Sequence, residues 1–310
     1  KFVEGEFIIK QLQVEITPSD ETNSKVYGAE DPKYDYAYKL INSNQEKNTK
    51  FADVKKDGEL GPGDKILTYK GSKGIKTPVN DNGYTYQFKG GINKNYKVTL
   101  SEESPKFMVT QLPVEVIPAT SCDFGDNIVG LNSKVYGTDD QPYAYMVDIP
   151  DPKGSTLTSD EVRGELGSEN ILKRATGEIV GTYEFELARE GKKYGNFSVT
   201  LNNKNDVKFE ITPLEVVVTP ESNQRKTYGE NNPKYKYTIN YEEVKEKVGL
   251  TKLQETDILG ELTDNVLVRA EGELPGPDKY EYSIRTGENG EDLFPNYTLT
   301  VGGNEAFTID

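Results

Sequence analysis

The sequence has 310 residues, with 37 Lys or Arg and 52 Asp or Glu, which gives a formal net charge of −15. This acidity disfavours nucleic acids and anionic membranes as partners, because both bind basic surfaces. Histidine is absent and there is a single cysteine, which excludes Ser-His-Asp triads, Cys-His pairs and histidine-ligated zinc. We therefore expect a chain that is not an enzyme and carries no cofactor.

We expect the chain to be ordered, although its hydrophobic fraction is only 34%. Its 20 tyrosines and 11 phenylalanines are regularly placed, whereas disordered acidic segments are usually poor in aromatic residues. Tyr, Thr, Val and Ile also favour strands. The composition therefore predicts an all-β fold.

Residues 1–10 contain the apolar run Phe7-Ile8-Ile9, which has the character of a strand. We interpret this segment as the end of a preceding repeat. The rest of the chain carries one series of short motifs three times in the same order. This internal repetition predicts repeat 1 at 11–111, repeat 2 at 112–212 and repeat 3 at 213–310.

Each repeat begins with an alternating strand that ends in proline and is followed by a Tyr-Gly pair. The strands are Leu12–Pro18, 114–118 and Leu214–Pro220, and the pairs begin at Tyr27, Tyr136 and Tyr228. A tyrosine-rich strand then follows a proline, at 32–36, 142–145 and 233–237. Alternation with a period of two, bounded by Gly, Pro, Asn and Asp, is typical of half-buried strands.

Four further motifs complete each repeat. Gly-Glu-Leu occurs at 58–60, 164–166 and 260–262, and a second aromatic strand at 84–86, 183–185 and 280–282. An Asn-aromatic strand lies at 95–100, 196–201 and 296–301, and a closing strand at 107–109, 209–211 and 307–309. The composition of 242–248 and a capping-box pattern from Thr158 to Glu161 predict a short helix before Gly-Glu-Leu in at least two repeats.

These motifs predict an all-β chain with minor helix, built as three tandem, small β-sandwich-like modules. The closing strand of one repeat leads almost directly into the opening strand of the next, and no Gly/Ser spacer intervenes. Prolines at these points restrict the backbone further. We therefore expect an elongated, semi-rigid array.

The ordered set of Tyr-Gly, tyrosine strand, Gly-Glu-Leu and Asn-aromatic motifs resembles the MBG family. These modules occur in tandem in large bacterial adhesins and cell-wall-anchored surface proteins. The resemblance covers almost the whole chain, and it implies an extracellular, mostly-β repeat without catalytic residues. The chain departs from the usual pattern in its richness in tyrosine and in the long loop at 42–56.

The sequence offers candidates for two kinds of structural site, a calcium site and an internal isopeptide bond. The loops after Tyr-Gly carry calcium-type oxygen ligands, with Asp31, Asp139, Asp140 and Asn231 as the candidates, but ordinary turn chemistry explains the same residues. An internal isopeptide bond, as in related surface proteins, needs a core lysine that faces a carboxylate or amide. The opening strands have no lysine at their core positions, which argues against such a bond.

The tyrosine stripes also have two interpretations. As core faces, they bury the rings and leave the hydroxyls at the edge. As exposed platforms, they bind sugars or proteins. Tyr38 and Tyr241 fall at the far end of their strands, and they are the candidates for an exposed ligand-binding role.

These observations lead to one functional hypothesis and its competitors. The chain is expected to be a non-catalytic stalk or presentation segment of a bacterial surface adhesin, extracellular, held at the cell wall by parts outside this sequence, and monomeric in solution. The alternatives are that the modules themselves bind a host glycan or extracellular matrix protein, or that they self-associate between cells. No membrane insertion is expected of this segment.

Overall fold

The computed structural model describes residues 5–41, 54–56, 58–169, 171–189, 193–263, 265–276 and 280–310. Their secondary structure is mostly β with a few short helices, which confirms the predicted fold class. The described helices are all too short and too polar to serve as a membrane span.

Repeat 1 begins and ends with strands that match the predicted opening and closing motifs. Its elements are β1 (Leu12–Pro18), a 3-10 turn (Asp20–Thr22), β2 (Ser24–Val26), β3 (Tyr36–Leu40), α1 (Gly63–Ile66), β4 (Leu67–Tyr69), β5 (Tyr86–Phe88), β6 (Tyr96–Leu100) and β7 (Met108–Thr110).

Repeat 2 follows the same order with additional short strands. Its elements are β8 (Leu112–Pro118), β9 (Ser121–Asp123), β10 (Val129–Leu131), β11 (Ser133–Val135), β12 (Tyr145–Asp148), α2 (Ser159–Leu166), β13 (Leu172–Arg174), β14 (Gly181–Tyr183), β15 (Phe185–Leu187), β16 (Lys193–Tyr194), β17 (Phe197–Leu201) and β18 (Phe209–Thr212).

Repeat 3 contains two helices of eight residues each between its strands. Its elements are β19 (Leu214–Pro220), β20 (Arg225–Lys226), β21 (Tyr237–Ile239), α3 (Tyr241–Val248), α4 (Glu255–Leu262), β22 (Leu267–Arg269), β23 (Tyr280–Ile284), β24 (Tyr297–Val301) and β25 (Ala306–Ile309).

The same two parallel strand pairs recur in all three repeats. The opening strand lies parallel to the Asn-aromatic strand, in the registers Leu12↔Tyr96, Leu112↔Phe197 and Leu214↔Tyr297. The closing strand lies parallel to the strand before Tyr-Gly, in the registers Lys25↔Val109, Lys134↔Ile211 and Lys226↔Ile309. The register repeats because each strand buries alternate residues, and a slip by one would turn its apolar face to water.

Aromatic side chains form the centre of each repeat. The closing-strand residues Phe107, Phe209 and Phe307 are fully buried. A tyrosine packs edge-to-face on each of them, in the pairs Tyr34–Phe107, Tyr143–Phe209 and Tyr235–Phe307, with ring centroids 5.5–5.6 Å apart. The core interpretation of these stripes is confirmed for these rings.

Two expectations about local structure need correction. The tyrosine-rich strands begin later than predicted, at Tyr36, Tyr145 and Tyr237, and the residues between the proline and that point are not in a strand. The helix predicted at 242–248 is confirmed as α3, which ends before Gly-Glu-Leu, whereas α2 and α4 include this motif as their last turn. The capping box at the start of α2 is confirmed, since the Glu161 backbone N–H donates to Thr158 Oγ1 and the Thr158 N–H donates to Glu161.

By spatial proximity the chain divides into two compact units. One takes the described residues of 1–116, 147–166 and 189–201, and the other those of 117–146, 167–188 and 202–310. The division falls within repeat 2, so sequence repetition and spatial grouping are two different descriptions of this chain. The repeat boundaries drawn from the sequence stay a prediction.

Candidate functional site

The first candidate site is the junction between repeat 1 and the following repeat, which lies within the first unit. The Tyr27 hydroxyl donates to Glu165 Oε2 at 2.9 Å, and the Tyr27 ring packs edge-to-face on Phe197 at 5.6 Å. Tyr27 is only 3% exposed. Burial, together with the neighbouring Glu165 carboxylate, raises the pKa of Tyr27 to about 12, so its phenol is a neutral donor over the whole physiological range.

Backbone contacts complete this first junction. The Thr156 N–H donates to the Gly28 carbonyl at 3.0 Å, and the Val79 N–H donates to Asn196 Oδ1 at 2.9 Å. Gly28 has a φ of 88°, and a Cβ on it would overlap Ser155 and Leu157. The glycine of the Tyr-Gly pair is therefore required twice, for its backbone conformation and for close packing of the next repeat.

The second junction, within the second unit, has the same design. The Tyr136 hydroxyl lies 3.0 and 3.1 Å from the two oxygens of Glu261, and its ring packs edge-to-face on Tyr297 at 5.6 Å. Tyr297 also donates to Glu261, at 2.8 Å, so this carboxylate accepts from one tyrosine of repeat 2 and one of repeat 3. Burial and the Glu261 carboxylate raise the pKa of Tyr136 to about 12.

The second junction also repeats the backbone contacts of the first. The Val180 N–H donates to Asn296 Oδ1 at 3.0 Å, and the Lys252 N–H donates to the Gly137 carbonyl at 2.9 Å. Gly137 has a φ of 83°, and a Cβ on it would lie 2.6 Å from Leu253 Cδ1. Two junctions that share a tyrosine, a glutamate, an asparagine and a glycine in equivalent places form one repeated interface.

The connection between repeats is a single residue at each junction. Gln111 separates β7 from β8, and Pro213 separates β18 from β19. This confirms the very short junctions predicted from the sequence. A one-residue connection between two paired strands gives the chain little freedom to reorient there.

A buried lysine braces the Tyr-Gly loop in each repeat. Lys25, Lys134 and Lys226 are each 7% exposed, and each lies two residues before the junction tyrosine or its equivalent. Lys25 Nζ lies 2.7 Å from Asp31 Oδ1 and donates to the Gly74 carbonyl. Buried lysine is rare unless its charge is paired. The lysine therefore ties the loop that presents the tyrosine to the body of its own repeat.

Repeat 2 carries the most complete of these clusters. Lys134 Nζ lies 2.7 Å from Asp140 and 2.5 Å from Glu178, and Arg174 bonds both carboxylates, at 2.9 Å to Asp140 and 2.8 Å to Glu178. Burial alone would raise the pKa of Asp140, but Arg174, Lys134 and Tyr143 hold it well below its usual range. The carboxylate is therefore an ionised partner for two cations, and the cluster is neutral in sum.

The opening strands have no core lysine, as predicted from the sequence. The buried lysines lie instead on β2, β11 and β20, which follow the opening strands along the chain. In repeat 2 the contact of Lys134 with Asp140 is an ion pair, since isopeptide formation needs a neutral carboxyl group for attack by an uncharged amine. The signal available in the sequence was the lysine of Lys-x-Tyr-Gly followed six residues later by Asp in repeats 1 and 2.

The residues predicted for calcium have other roles in the structure. Asp31 and Asp140 pair with buried lysines, and Asp139 is exposed and lies 3.6 Å from Lys252. Asn231 is exposed in its loop. In the described part of the chain no group of three or more carboxylate or cysteine side chains could hold a metal ion. The two of these aspartates that are least exposed, Asp31 and Asp140, already have cationic partners.

The two tyrosines predicted to be exposed differ from that expectation. Tyr38 is half-buried in β3, opposite Ile16 of β1. Tyr241 is only 7% exposed at the start of α3, and its hydroxyl donates to the Leu253 carbonyl. The predicted exposure of Tyr241 is wrong, because the strand that carries the stripe ends at Ile239 and a helix begins in its place.

The junction partners were missed at the sequence level, although each was already visible as a repeated motif. The glutamate of Gly-Glu-Leu and the asparagine of the Asn-aromatic motif recur three times, as does the tyrosine of Tyr-Gly. Their contacts join residues 116–138 positions apart, such as Tyr27 with Glu165, and periodicity within a strand does not reveal such pairs.

Comparison of the chain with protein-family models, curated proteins and solved structures finds no match.

Proposed function

We propose that this chain is a non-catalytic tandem-repeat segment of a bacterial surface adhesin, and that it acts as a semi-rigid stalk or presentation module. The observation that carries this proposal is the junction that occurs twice with equivalent residues. A stalk requires the interface between neighbouring modules to be specified, and here a tyrosine, a glutamate, an asparagine and a glycine specify it at both places.

The energies of these contacts support stiffness. A hydrogen bond to a charged group contributes about 1.5–3 kcal/mol, and an edge-to-face ring pair adds about 0.5–1.5 kcal/mol beyond its buried area. A closed junction favoured by about 3 kcal/mol is populated more than 100-fold over an open one. The one-residue connection also reduces the entropy that an open state would gain.

The chemistry of the chain agrees with an exposed, extracellular role. Its formal charge of −15 favours solubility, and no histidine is present for acid–base or metal chemistry. The MBG resemblance places such repeats on bacterial surfaces, and we extend that location to this chain as part of the proposal. We expect the purified chain to be monomeric.

A second candidate function, binding of a host glycan or matrix protein by a module, is favoured by one region. Repeat 3 carries a cavity of about 470 Å³ beside Arg269 and Arg285. The stalk remains the better-supported role because its defining contacts occur at both junctions, whereas this cavity belongs to one repeat.

Labelling of intact bacteria tests the location on which the proposal depends. Antibodies raised against the purified chain are expected to label intact cells of the organism that encodes it, and trypsin treatment of those cells should remove the signal. Antibodies against a cytosolic enzyme serve as the lysis control. Labelling that appears only after permeabilisation would contradict the proposed role.

A further inference from the structure

Repeat 3 has lost a negative charge at the position where repeats 1 and 2 neutralise their buried lysine. Three residues after the glycine of Tyr-Gly, repeats 1 and 2 have Asp31 and Asp140, and repeat 3 has Asn232. Arg269 Nε bonds the Asn232 amide oxygen at 3.1 Å, in the place where Arg174 bonds the Asp140 carboxylate. A neutral amide now stands where a carboxylate balanced the cations.

The remaining charges of this cluster no longer cancel. Lys226 Nζ lies 2.6 Å from Glu273, and Arg269 lies 2.5 Å from the same carboxylate. One carboxylate therefore serves two cations that are nearly buried, with exposed side-chain fractions of 4% and 5%. In repeat 3 these two cations and Glu273 have a net charge of one positive. In repeat 2 the two cations and the two carboxylates have a net charge of zero.

An additional guanidinium lies beside this cluster only in repeat 3. Backbone hydrogen bonds identify the equivalent positions in the three repeats. The backbone N–H of Arg285 donates to the Val266 carbonyl, just as those of Ala188 and Lys89 donate to the carbonyls of Ile171 and Ile66 in repeats 2 and 1. Repeat 2 thus has alanine at the position of Arg285. Among the residues that the structure describes, the buried Arg285 Nε has no hydrogen-bond partner. A buried, unpaired charged donor is costly, and a ligand that accepts from it removes that cost.

The space beside Arg285 is large enough for an organic ligand. The cavity of about 470 Å³ is lined by both arginines and Lys234, by the carboxylates of Glu271 and Glu273, and by Asn232 and Tyr235, and its wall is mainly polar. Its volume lies in the range of small-molecule sites, about 300–1,000 Å³. An inorganic ion would leave most of it unfilled, and the polar wall with one aromatic ring suits a ligand rich in hydroxyl groups.

We propose that this cavity of repeat 3 binds an acidic sugar, a monosaccharide unit with a carboxylate such as a uronic or sialic acid. The carboxylate pairs with Arg285, which matches carboxylate geometry through two parallel N–H donors. Amide and backbone groups of the wall serve the hydroxyls, and Tyr235 provides a ring surface. The site does not depend on the stalk role, because it lies within repeat 3 and uses none of the junction residues.

Titration of the purified chain, followed by saturation-transfer NMR and calorimetry, tests this assignment. The probes are sodium glucuronate and N-acetylneuraminate, with glucose as the neutral control and sodium sulfate as the inorganic control, all at pH 7 and 150 mM NaCl. Saturable binding of an acidic sugar without binding of glucose is expected. Absence of binding by both acidic sugars, or binding of sulfate with equal strength, would overturn the assignment.

One substitution converts the repeat 3 cluster into that of repeat 2. Asn232→Asp supplies the missing carboxylate, so we expect acidic-sugar affinity to fall by at least about tenfold while the melting temperature stays the same or rises. Arg285→Gln is expected to lower the affinity similarly. Asp140→Asn is the matched control in repeat 2, which has Ala188 instead of an arginine, and it should not change sugar binding. Unchanged affinity in Asn232→Asp would contradict the site.

Discussion

Repeats 2 and 3 place the same lysine on the same strand, yet they treat its charge differently. In repeat 2 Lys134 and Arg174 face two carboxylates, and Tyr136 of the adjoining loop is 9% exposed in a junction. In repeat 3 the equivalent cluster has one carboxylate, and Tyr228 is 63% exposed. Equivalent backbone frameworks thus carry two charge arrangements, a balanced cluster in repeat 2 and a cluster with one excess cation in repeat 3.

The backbone donor at the junction differs as well. The Val180 N–H bonds Asn296, and Val79 makes the same bond to Asn196. The equivalent residue of repeat 3 is Pro275, identified because the Tyr280 hydroxyl donates to the preceding Leu274 carbonyl just as Tyr183 donates to Ile179. Because proline has no N–H, repeat 3 cannot donate the backbone hydrogen bond that Val79 and Val180 donate at the two junctions.

Removal of Asp140 should have the largest effect. Asp140→Ala leaves Lys134 and Arg174, both nearly buried, with Glu178 alone. We expect a loss of about 2–3 kcal/mol in the free energy of unfolding, below the loss of about 3–5 kcal/mol typical of a fully buried pair, because the Asp140 side chain is 25% exposed. The measurement is urea denaturation followed by near-UV circular dichroism. Asn232→Ala is the matched variant in repeat 3, and it should cost less than about 1 kcal/mol. Equal losses would remove the distinction between the two clusters.

Low pH should reduce the stabilisation that the Asp140 carboxylate gives to the repeat 2 cluster. The pKa of Asp140 is held below its usual range in the folded state, so its stabilisation is present above the unfolded value of about 4 and is lost as pH falls further. The stability gap between the wild type and Asp140→Ala is therefore expected to shrink between about pH 5 and pH 2. Denaturation midpoints at stepped pH provide the test, and a constant gap would contradict the ion pairs.

Truncation of the junction glutamates compares the two interfaces. Glu261 accepts from two tyrosine hydroxyls and Glu165 from one, with Lys76 2.9 Å from the latter carboxylate. We expect Glu261→Ala to cost about 1.5–3 kcal/mol and Glu165→Ala about half as much. Thermal unfolding followed by calorimetry reports both. A larger cost at Glu165 would show that the shared acceptor is not what stabilises the second junction.

Alkaline pH tests the buried phenols. The pKa of Tyr136 is raised from about 10 in the unfolded chain to about 12 in the folded protein, so its stabilisation is complete below pH 10 and disappears as pH rises through 12. Tyr136→Phe should be less stable than the wild type at pH 7, and the difference should narrow between pH 10 and 12. Tyr228→Phe, at the exposed equivalent position, should match the wild type throughout. A gap that stays constant with pH would argue against the tyrosine–glutamate bond.

The smallest effect is expected for the junction asparagine. Asn296→Ala removes the acceptor for the Val180 N–H and should cost about 1 kcal/mol. Asn95 is the equivalent residue of repeat 1 and is exposed, so Asn95→Ala should be close to neutral. Thermal melting of the two variants in parallel measures the difference in their stability. Equal melting temperatures would show that the asparagine serves only to begin its strand.

Much of the fold within a repeat follows from local patterns. Alternation identified β1, β19 and the Asn-aromatic strands, and the capping box located α2, because these signals come from neighbouring residues. The parallel pairing of opening and Asn-aromatic strands was not predicted, since strand periodicity is the same for both directions. Tyr241 was misassigned because a helix replaces the strand at its position.

The candidate sites were harder to predict because they join distant residues. The pairing of Tyr27 with Glu165 and the cluster of Lys134 with Asp140, Arg174 and Glu178 depend on tertiary packing. Buried charge also contradicts the usual expectation that lysine is solvated. In repeat 3 the change from Asp to Asn232 is visible in the sequence, but its meaning depends on the position of Arg285 beside the cavity.

Distance measurement across the first junction tests the central claim of a specified, semi-rigid interface most directly. Spin labels at Lys97→Cys and Asp151→Cys, in a Cys122→Ser background, report the separation of repeat 1 and the adjoining part of repeat 2 by pulsed electron spin resonance. We predict one narrow distance distribution, which broadens when Tyr27→Phe and Glu165→Gln remove the tyrosine–glutamate bond. A distribution that is already broad in the parent protein, and unchanged by these substitutions, would contradict the account.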